Sequence, residues 1–529
     1  MNNDTAGISP PSGPALPRLG VFGLMLGIFL AALDGQIVST ALPTVVGDLG
    51  GLEQVSWSVT AYLLTMAAST PLWGKLGDLY GRKGAYMSSV VLFLAGSVLC
   101  GLAQDMAQLI VFRAVQGLGA GGLMVGALSV IGVLVQPHER GRIQSMVGVM
   151  MPVAFVGGPL LGGFITDYAH WRWTFYVNVP IGALALLAVA KGVRLHTDRV
   201  KARIDYLGAV LLTTGILALT LLAGWAGGTY AWMSPQIVGL GTVVVGCLLW
   251  FVRVELRAPE PITPPRLFRS RDFTVAQVLS FLVGAVLISV VNYLPQYMQF
   301  VHGASSTASG MLVLPLMLGM LAAQLLTGRL MDEGGRERAV AVTGGAVMVA
   351  GSLLLLLLGI GTPLLAASAL TLAIGLGMGT VMQMTMLTTI NNAAPRDMGA
   401  ATGTVTLVRT IGGSLGVAVL GAVQSGRMGD VLAERLGPDT AARLTGGELT
   451  PALLTELPAP VRAAVEEAFS SGLHGVVIGA AALSAIAFAT TWFTRGTPVG
   501  EPGGRKPGAD GVRPGGGIAE PAVRTPTAD

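Results

Sequence analysis

At 529 residues, 52% hydrophobic and only 11% charged, the chain cannot present a water-soluble surface. Its apolar stretches are about twenty residues long, the length of a bilayer-crossing helix and twice that of a barrel strand, so an all-α polytopic membrane protein is expected. The net charge of +4 resides in short loops between apolar runs, which points to orientation in a membrane and away from nucleic-acid binding.

Residues 1–19 are polar and proline-rich, carry no cleavage pattern after the first apolar run, and are expected to remain as a cytoplasmic tail. A six-helix bundle is predicted over 20–194. Its first span holds Asp34, the one acid placed deep in an apolar run, followed by Gln36. A charge at such depth costs about 2.5–3.5 kcal/mol on insertion scales, so a task is expected of it. Burial disfavours the ionised form and suits a group that takes a proton from one side and gives it to the other; a carboxylate neutralised for packing alone is the alternative.

After the second span, Gly74, Lys75, Asp78, Gly81, Arg82 and Lys83 make a short basic turn. There Asp78 can cap a helix end and pair with a basic neighbour, holding an inward gate shut. The fourth span carries Arg113 and Gln116. A guanidinium keeps its proton, so Arg113 can bias a nearby carboxylate without carrying the coupling proton itself. In the fifth span Pro152, Gly157, Gly158, Pro159, Gly162 and Gly163 predict a thin, kinked helix that serves as a hinge or as a tight packing face. Asn178 adds an amide in the sixth.

Residues 195–257 contain two further apolar runs without charged motifs, read as extra linker helices. A second six-helix bundle is predicted over 258–495, with a long extracytoplasmic loop at 425–472 read as a small helical cap. The Gly- and Pro-rich stretch 496–529 is expected to be a disordered cytoplasmic tail. The second bundle repeats the first. Gly74-x-Leu76-x-Asp78-x-x-Gly81-Arg82 recurs as Gly328-x-Leu330-x-Asp332-x-x-Gly335-Arg336, which brings Asp332 and Arg336 into the candidate gate. Gly117-Leu118-Gly119 is echoed by Gly375-Leu376-Gly377. Arg113 itself has Thr371 as its counterpart, so the charged chemistry concentrates in the first half.

Asn292, Gln296, Gln324, Met382 and Gln383 join Gln36, Gln116 and Asn178 as candidate cavity residues, and the intramembrane Arg409 either snorkels or faces an anionic substrate group. Fourteen spans place both termini on one side. The distribution of Lys and Arg makes that side cytoplasmic, with Arg172 the dissenter among the short loops.

Several of these segments resemble the major facilitator superfamily and, within it, the fourteen-span drug:proton antiporter family. The match is carried by Leu33-Asp34-x-x-Ile37-Val38-x-x-Ala41-Leu42-Pro43, by Trp57-x-x-Thr60-Ala61-Tyr62-Leu63-Leu64 and by Gly74 to Lys83. It continues through Arg113-x-x-Gln116-Gly117-x-Gly119, Gly157-Gly158-Pro159-x-x-Gly162-Gly163 and Trp171-Arg172-Trp173-x-Phe175-x-x-Asn178-x-Pro180. The resemblance implies alternating access and proton-coupled efflux of small lipophilic drugs or antibiotics across the plasma membrane. A dedicated exporter of one metabolite and a proton-coupled importer remain as alternatives.

The sequence lacks a Walker loop, a metal-ligand cluster and a nucleophile elbow, so neither enzyme activity nor a cofactor is expected, and the partners are a small lipophilic molecule, protons and the lipid bilayer. Some multidrug members that take dications carry extra acids in later spans. None is placed there in this sequence, which favours neutral, zwitterionic or monocationic substrates.

Overall fold

The computed structural model describes residues 18–50, 54–135, 139–195, 205–226, 230–304, 306–332, 337–446, 454 and 457–495. Residues 1–17 and 496–529, and with them the two expected tails, lie outside the described residues, as does Arg336. The side chains of Pro152, Pro159 and Asp332 are likewise outside the description.

Fourteen long helical stretches are found among the described residues. The first six are α1 (Arg18–Leu49), α2 (Val55–Tyr80), α3 (Arg82–Leu102), α4 (Met106–Leu134), α5 (Arg140–Tyr168) and α6 (Trp173–Gly192, with a turn at Val177). A pair follows, α7 (Tyr206–Trp225) and α8 (Pro235–Glu255). The last six are α9 (Arg271–His302), α10 (Ala308–Leu330), α11 (Glu337–Leu357), α12 (Leu364–Asn391), α13 (Met398–Leu436) and α14 (Ala459–Thr491). Twelve are long and apolar enough to cross a membrane. The other two, α2 and α5, have 26 and 29 residues and pack within the same bundle.

Helix ends follow local chemistry. Asp105, Asp205, Ser234 and Ser270 accept a backbone N–H at the starts of α4, α7, α8 and α9. Gly81, with φ 104°, makes the turn from α2 into α3 in a region that a side chain would disfavour.

The internal repeat is visible in the packing. In the first half α4 lies against α2 and α3, and α1 against α5 and α6; in the second, α12 lies against α10 and α11, and α9 against α13 and α14. The echoed glycines occupy matching contacts. Gly117 abuts the Tyr62 carbonyl and Gly119 abuts Phe93, while Gly375 abuts the Leu316 carbonyl and Gly377 abuts Met348.

The pair α7–α8 packs on itself, and α7 also contacts α2 and α13. On α8, Leu248, Leu249 and Trp250 face outward, a surface suited to lipid. An apolar cavity of ≈ 80 Å³ lies where α7, α8 and α13 meet.

Within the segment 425–472, α13 runs on to Leu436, a short helix spans Pro438–Gly446, and α14 begins at Ala459. Hydropathy falls after residue 424, but helical periodicity does not. The break comes only at Gly437, with φ 85°.

Candidate functional site

Asp34 lies about 24 Å from the start of α1 at about 1.5 Å per residue, well inside the bundle. The sequence places Asp34 as the one acid deep in an apolar run, and three donors surround it in the structure. Arg113 Nη1 stands 2.7 Å from Asp34 Oδ2, with both side chains essentially inaccessible. Gln116 Nε2 and Asn178 Nδ2 donate to Asp34 Oδ1 at 2.8 and 2.7 Å. α1, α4 and α6 thus converge on one carboxylate.

A second layer holds these partners. Arg113 Nη1 also donates to Gln116 Oε1 at 2.8 Å, and its guanidinium lies 3.9 Å from the centroid of the Tyr62 ring. Ser97 on α3 accepts from Asn178 at 2.9 Å and from Gln116 at 3.2 Å, while its own hydroxyl donates to the Phe175 carbonyl. Asn178 Oδ1 is buried without a partner. Sequence reading singled out neither Ser97 nor Tyr62 for a role; both are uncharged or weakly polar, and only the fold brings them to the ion pair.

The described residues of the expected gate form a second cluster, at the end of the bundle that carries the α2–α3 turn. Asp78 accepts from the backbone N–H groups of Gly399 and Ala400 at 2.9 and 2.8 Å, so its carboxylate sits on the N-terminus of α13. Arg82 Nη2 donates to Asp78 at 2.7 Å and also to the Pro395 carbonyl. Gly74 and Gly399 press backbone to backbone; a methyl on either would overlap the other's carbonyl oxygen. Lys83 donates to the carbonyls of Ala190 and Val193 at the end of α6.

Two further ion pairs, invisible as sequence motifs, brace the same face. Lys75 reaches Glu260 at 2.8 Å, and Arg266 grips the buried Asp397 with Nε at 3.0 Å and Nη2 at 2.5 Å. The hydrogen bond to Asp397 raises the Arg266 pKa above its ordinary value. Asp397 stands within the Pro395-x-x-x-Gly399 stretch that echoes Pro137-x-x-x-Gly141, and this was the one signal available for it.

On α5, Gly158 abuts Gln36 and Gly162 abuts Thr40 and Ile37, so this face lies directly on α1; Gly157 and Gly163 meet nothing within 4 Å. Nearer its start α5 crosses to the other half, where Gly148 abuts Gln324. Gln383 is buried, Met382 and Gln296 are half-buried, and Asn292 is exposed. Met378, Met384 and Met386 are core. The Arg409 guanidinium is buried at Nε and Nη2, with neither atom hydrogen-bonded.

A buried ion pair thus lies inside one half, and a charge-capped helix joins the two halves. The Major Facilitator Superfamily profile matches residues 24–417. The chain belongs to the Major Facilitator Superfamily. It is a multi-pass membrane transporter and not an enzyme. An uncharacterised MFS-type transporter of Mycobacterium tuberculosis is 39% identical over 496 residues, covering 93% of this chain and 71% of that one. The multidrug transporter protein MdtP of Bacillus subtilis is 38% identical over 418 residues, covering 79% and 77%. The proton:xylose symporter XylE, solved with 6-bromo-6-deoxy-D-glucose, shares the fold with a TM-score of 0.57 at 14% identity, covering 90% of this chain and 95% of its own.

Proposed function

We propose that this MFS transporter is a fourteen-span, proton-coupled antiporter that exports small lipophilic drugs or antibiotics across the plasma membrane, with both termini in the cytoplasm. In this reading α2 and α5 cross the bilayer with the other twelve helices, and α7–α8 is an insertion between two six-helix halves. Export is supported by the multidrug relative, and proton coupling by the buried Asp34–Arg113 pair.

The mechanism follows from that pair. With Asp34 ionised, Arg113, Gln116 and Asn178 bind α4 and α6 to α1. A proton arriving on Asp34 cancels the attraction to Arg113 and converts one acceptor oxygen into a donor, for which the unpartnered Asn178 Oδ1 is a ready acceptor. The first half must then repack. At the other end, Asp78 on the N-terminus of α13 closes the cytoplasmic side, and Gly74 against Gly399 completes the seal. Repacking around α1 and α4 is transmitted along α2, which packs on α4, to that lock.

The test is transport in inverted vesicles energised by respiration. A fluorescent lipophilic drug should accumulate, and collapse of the pH gradient should release it. Asp34→Asn should insert normally and lose the gradient-driven uptake. Uptake that ignores the gradient, or that survives Asp34→Asn unchanged, overturns proton antiport.

A further inference from the structure

Arg409 is a charged residue in mid-helix that the coupling scheme does not use. It lies on α13, about 16 Å from Met398 at about 1.5 Å per residue, near the middle of a hydrocarbon layer about 30 Å thick. Snorkelling would bring its guanidinium to water or head groups, yet Nε and Nη2 are buried and unpartnered, and no hydrogen bond or ion pair reaches the side chain among the described residues. Arg113, more fully buried than the part-buried Arg409, has a carboxylate, two carbonyl oxygens and an aromatic face.

The site around Arg409 is built. Gly284 on α9 lets α13 approach so closely that a methyl there would overlap the Arg409 carbonyl and touch its Cγ, and Gly412 and Gly416 continue the same contact against Phe281 and Ala285. The adjacent hydroxyls of Thr406 and Thr410 donate to their own helix, at the Thr402 and Thr406 carbonyls, and neither accepts from Nε or Nη2 of Arg409. Along α13, Arg409 lies just beyond Gly399 and Gly403, which close against Gly74 and Pro71.

The two unpartnered atoms set the geometry of a group that could bind there. Nε and Nη2 share one edge of the guanidinium, the edge that takes an oxyanion side-on through two parallel N–H bonds. The same protein uses that edge elsewhere: Arg266 holds Asp397 through Nε and Nη2. A guanidinium keeps its charge, and a charge buried without a partner persists where a ligand completes it.

We propose that Arg409 is the anion-recognising residue of the transport path, receiving the carboxylate or sulfonate of an amphiphilic substrate side-on through Nε and Nη2. This deepens the export reading and rests on it: the cargo includes lipophilic acids. The covered edge becomes available as the halves move, so an anionic substrate favours the conformation that uncovers it.

The test uses the purified full chain in proteoliposomes under an imposed pH gradient, with two probes on one aromatic frame: uncharged N-phenyl-1-naphthylamine and the permanently anionic 8-anilinonaphthalene-1-sulfonate. The wild type should carry both. Arg409→Gln should lower uptake of the sulfonate about tenfold or more and that of the amine less than about twofold, and Arg409→Lys should restore part of the sulfonate flux. Carriage of the amine but not the sulfonate by the wild type overturns the inference and leaves the export reading standing, as does an equal loss of both probes in Arg409→Gln. Gradient-driven carriage of neither overturns both. Should Arg409→Gln fail to fold, the wild type still decides: 1-naphthoate should displace the bound sulfonate and 1-naphthamide should not, and equal displacement sinks the proposal.

Discussion

Arg113 and Asp34 meet at 2.7 Å in a space that admits almost no solvent, and one face of the arginine is covered by the Tyr62 ring. Removing one member leaves the other charge uncompensated, which costs about 3–5 kcal/mol in a buried pair, whereas replacing both with apolar groups of similar volume is close to neutral. Asp34→Leu alone should therefore lower thermal stability strongly, and Asp34→Leu combined with Arg113→Met should recover most of it while remaining inactive in transport. Thermal unfolding of the purified variants in detergent measures the first effect and vesicle uptake the second. Recovery of transport together with stability would remove the pair from the mechanism.

The proposed lock at the other end places the Asp78 carboxylate at the start of α13. Asp78→Asn keeps the shape and one acceptor oxygen but forfeits the attraction to Arg82 and to the helix terminus, each worth about 0.3–1 kcal/mol. The closed state should lose several-fold in population. Spin labels on the α2–α3 turn and at the start of α13 read this directly: the short-distance peak should shrink in Asp78→Asn and persist in a charge-neutral change at exposed Arg396. An unaltered distance distribution in Asp78→Asn would show that backbone contact at Gly74 and Gly399 suffices.

Glycines in the α5 motif divide into two kinds. Methyl groups at 158 and 162 overlap Gln36 and Thr40, so Gly158→Ala and Gly162→Ala should each destabilise by about 1–3 kcal/mol through overpacking. Gly157→Ala and Gly163→Ala meet open space and should leave melting temperatures unchanged. Transport separates packing from motion: if the stable pair also transports normally, the motif is a packing face, and if transport falls in these stable variants, α5 must bend or slide where those glycines lie.

What was legible in the sequence was whatever hydrocarbon makes expensive. Asp34, Arg113 and Arg409 stood out as charges in apolar runs, and the apolar runs themselves marked where the helices lie. The repeat was legible because close helix contacts admit only glycine, and the same contacts recur in both halves. Ser97 and Tyr62 carry no such signature, since a hydroxyl in a membrane helix commonly bonds its own backbone, as Thr402 and Thr404 do here. Arg266 with Asp397 and Lys75 with Glu260 join residues far apart in the chain, and only the folded bundle pairs them. Helix length past residue 424 was missed because hydropathy reports the membrane and not the helix.

Charge selectivity follows from where the remaining acids sit. In the second half, Asp272 at the start of α9 accepts the Arg495 N–H, Asp397 before α13 is held by Arg266, and Glu337 opens α11, so among the described residues these buried carboxylates lie at helix ends. Asp34, the carboxylate in mid-bundle, is already balanced by Arg113. A substrate with one positive charge can be met when Asp34 is freed, but a second charge finds no partner and bears a desolvation cost of several kcal/mol. Uptake into inverted vesicles should favour tetraphenylphosphonium over the dication 1,10-bis(trimethylammonium)decane by about tenfold or more. Robust, Asp34-dependent export of the dication would require a carboxylate beyond those of the described residues, and would count against the assignment of the charge balance to Asp34 and Arg113.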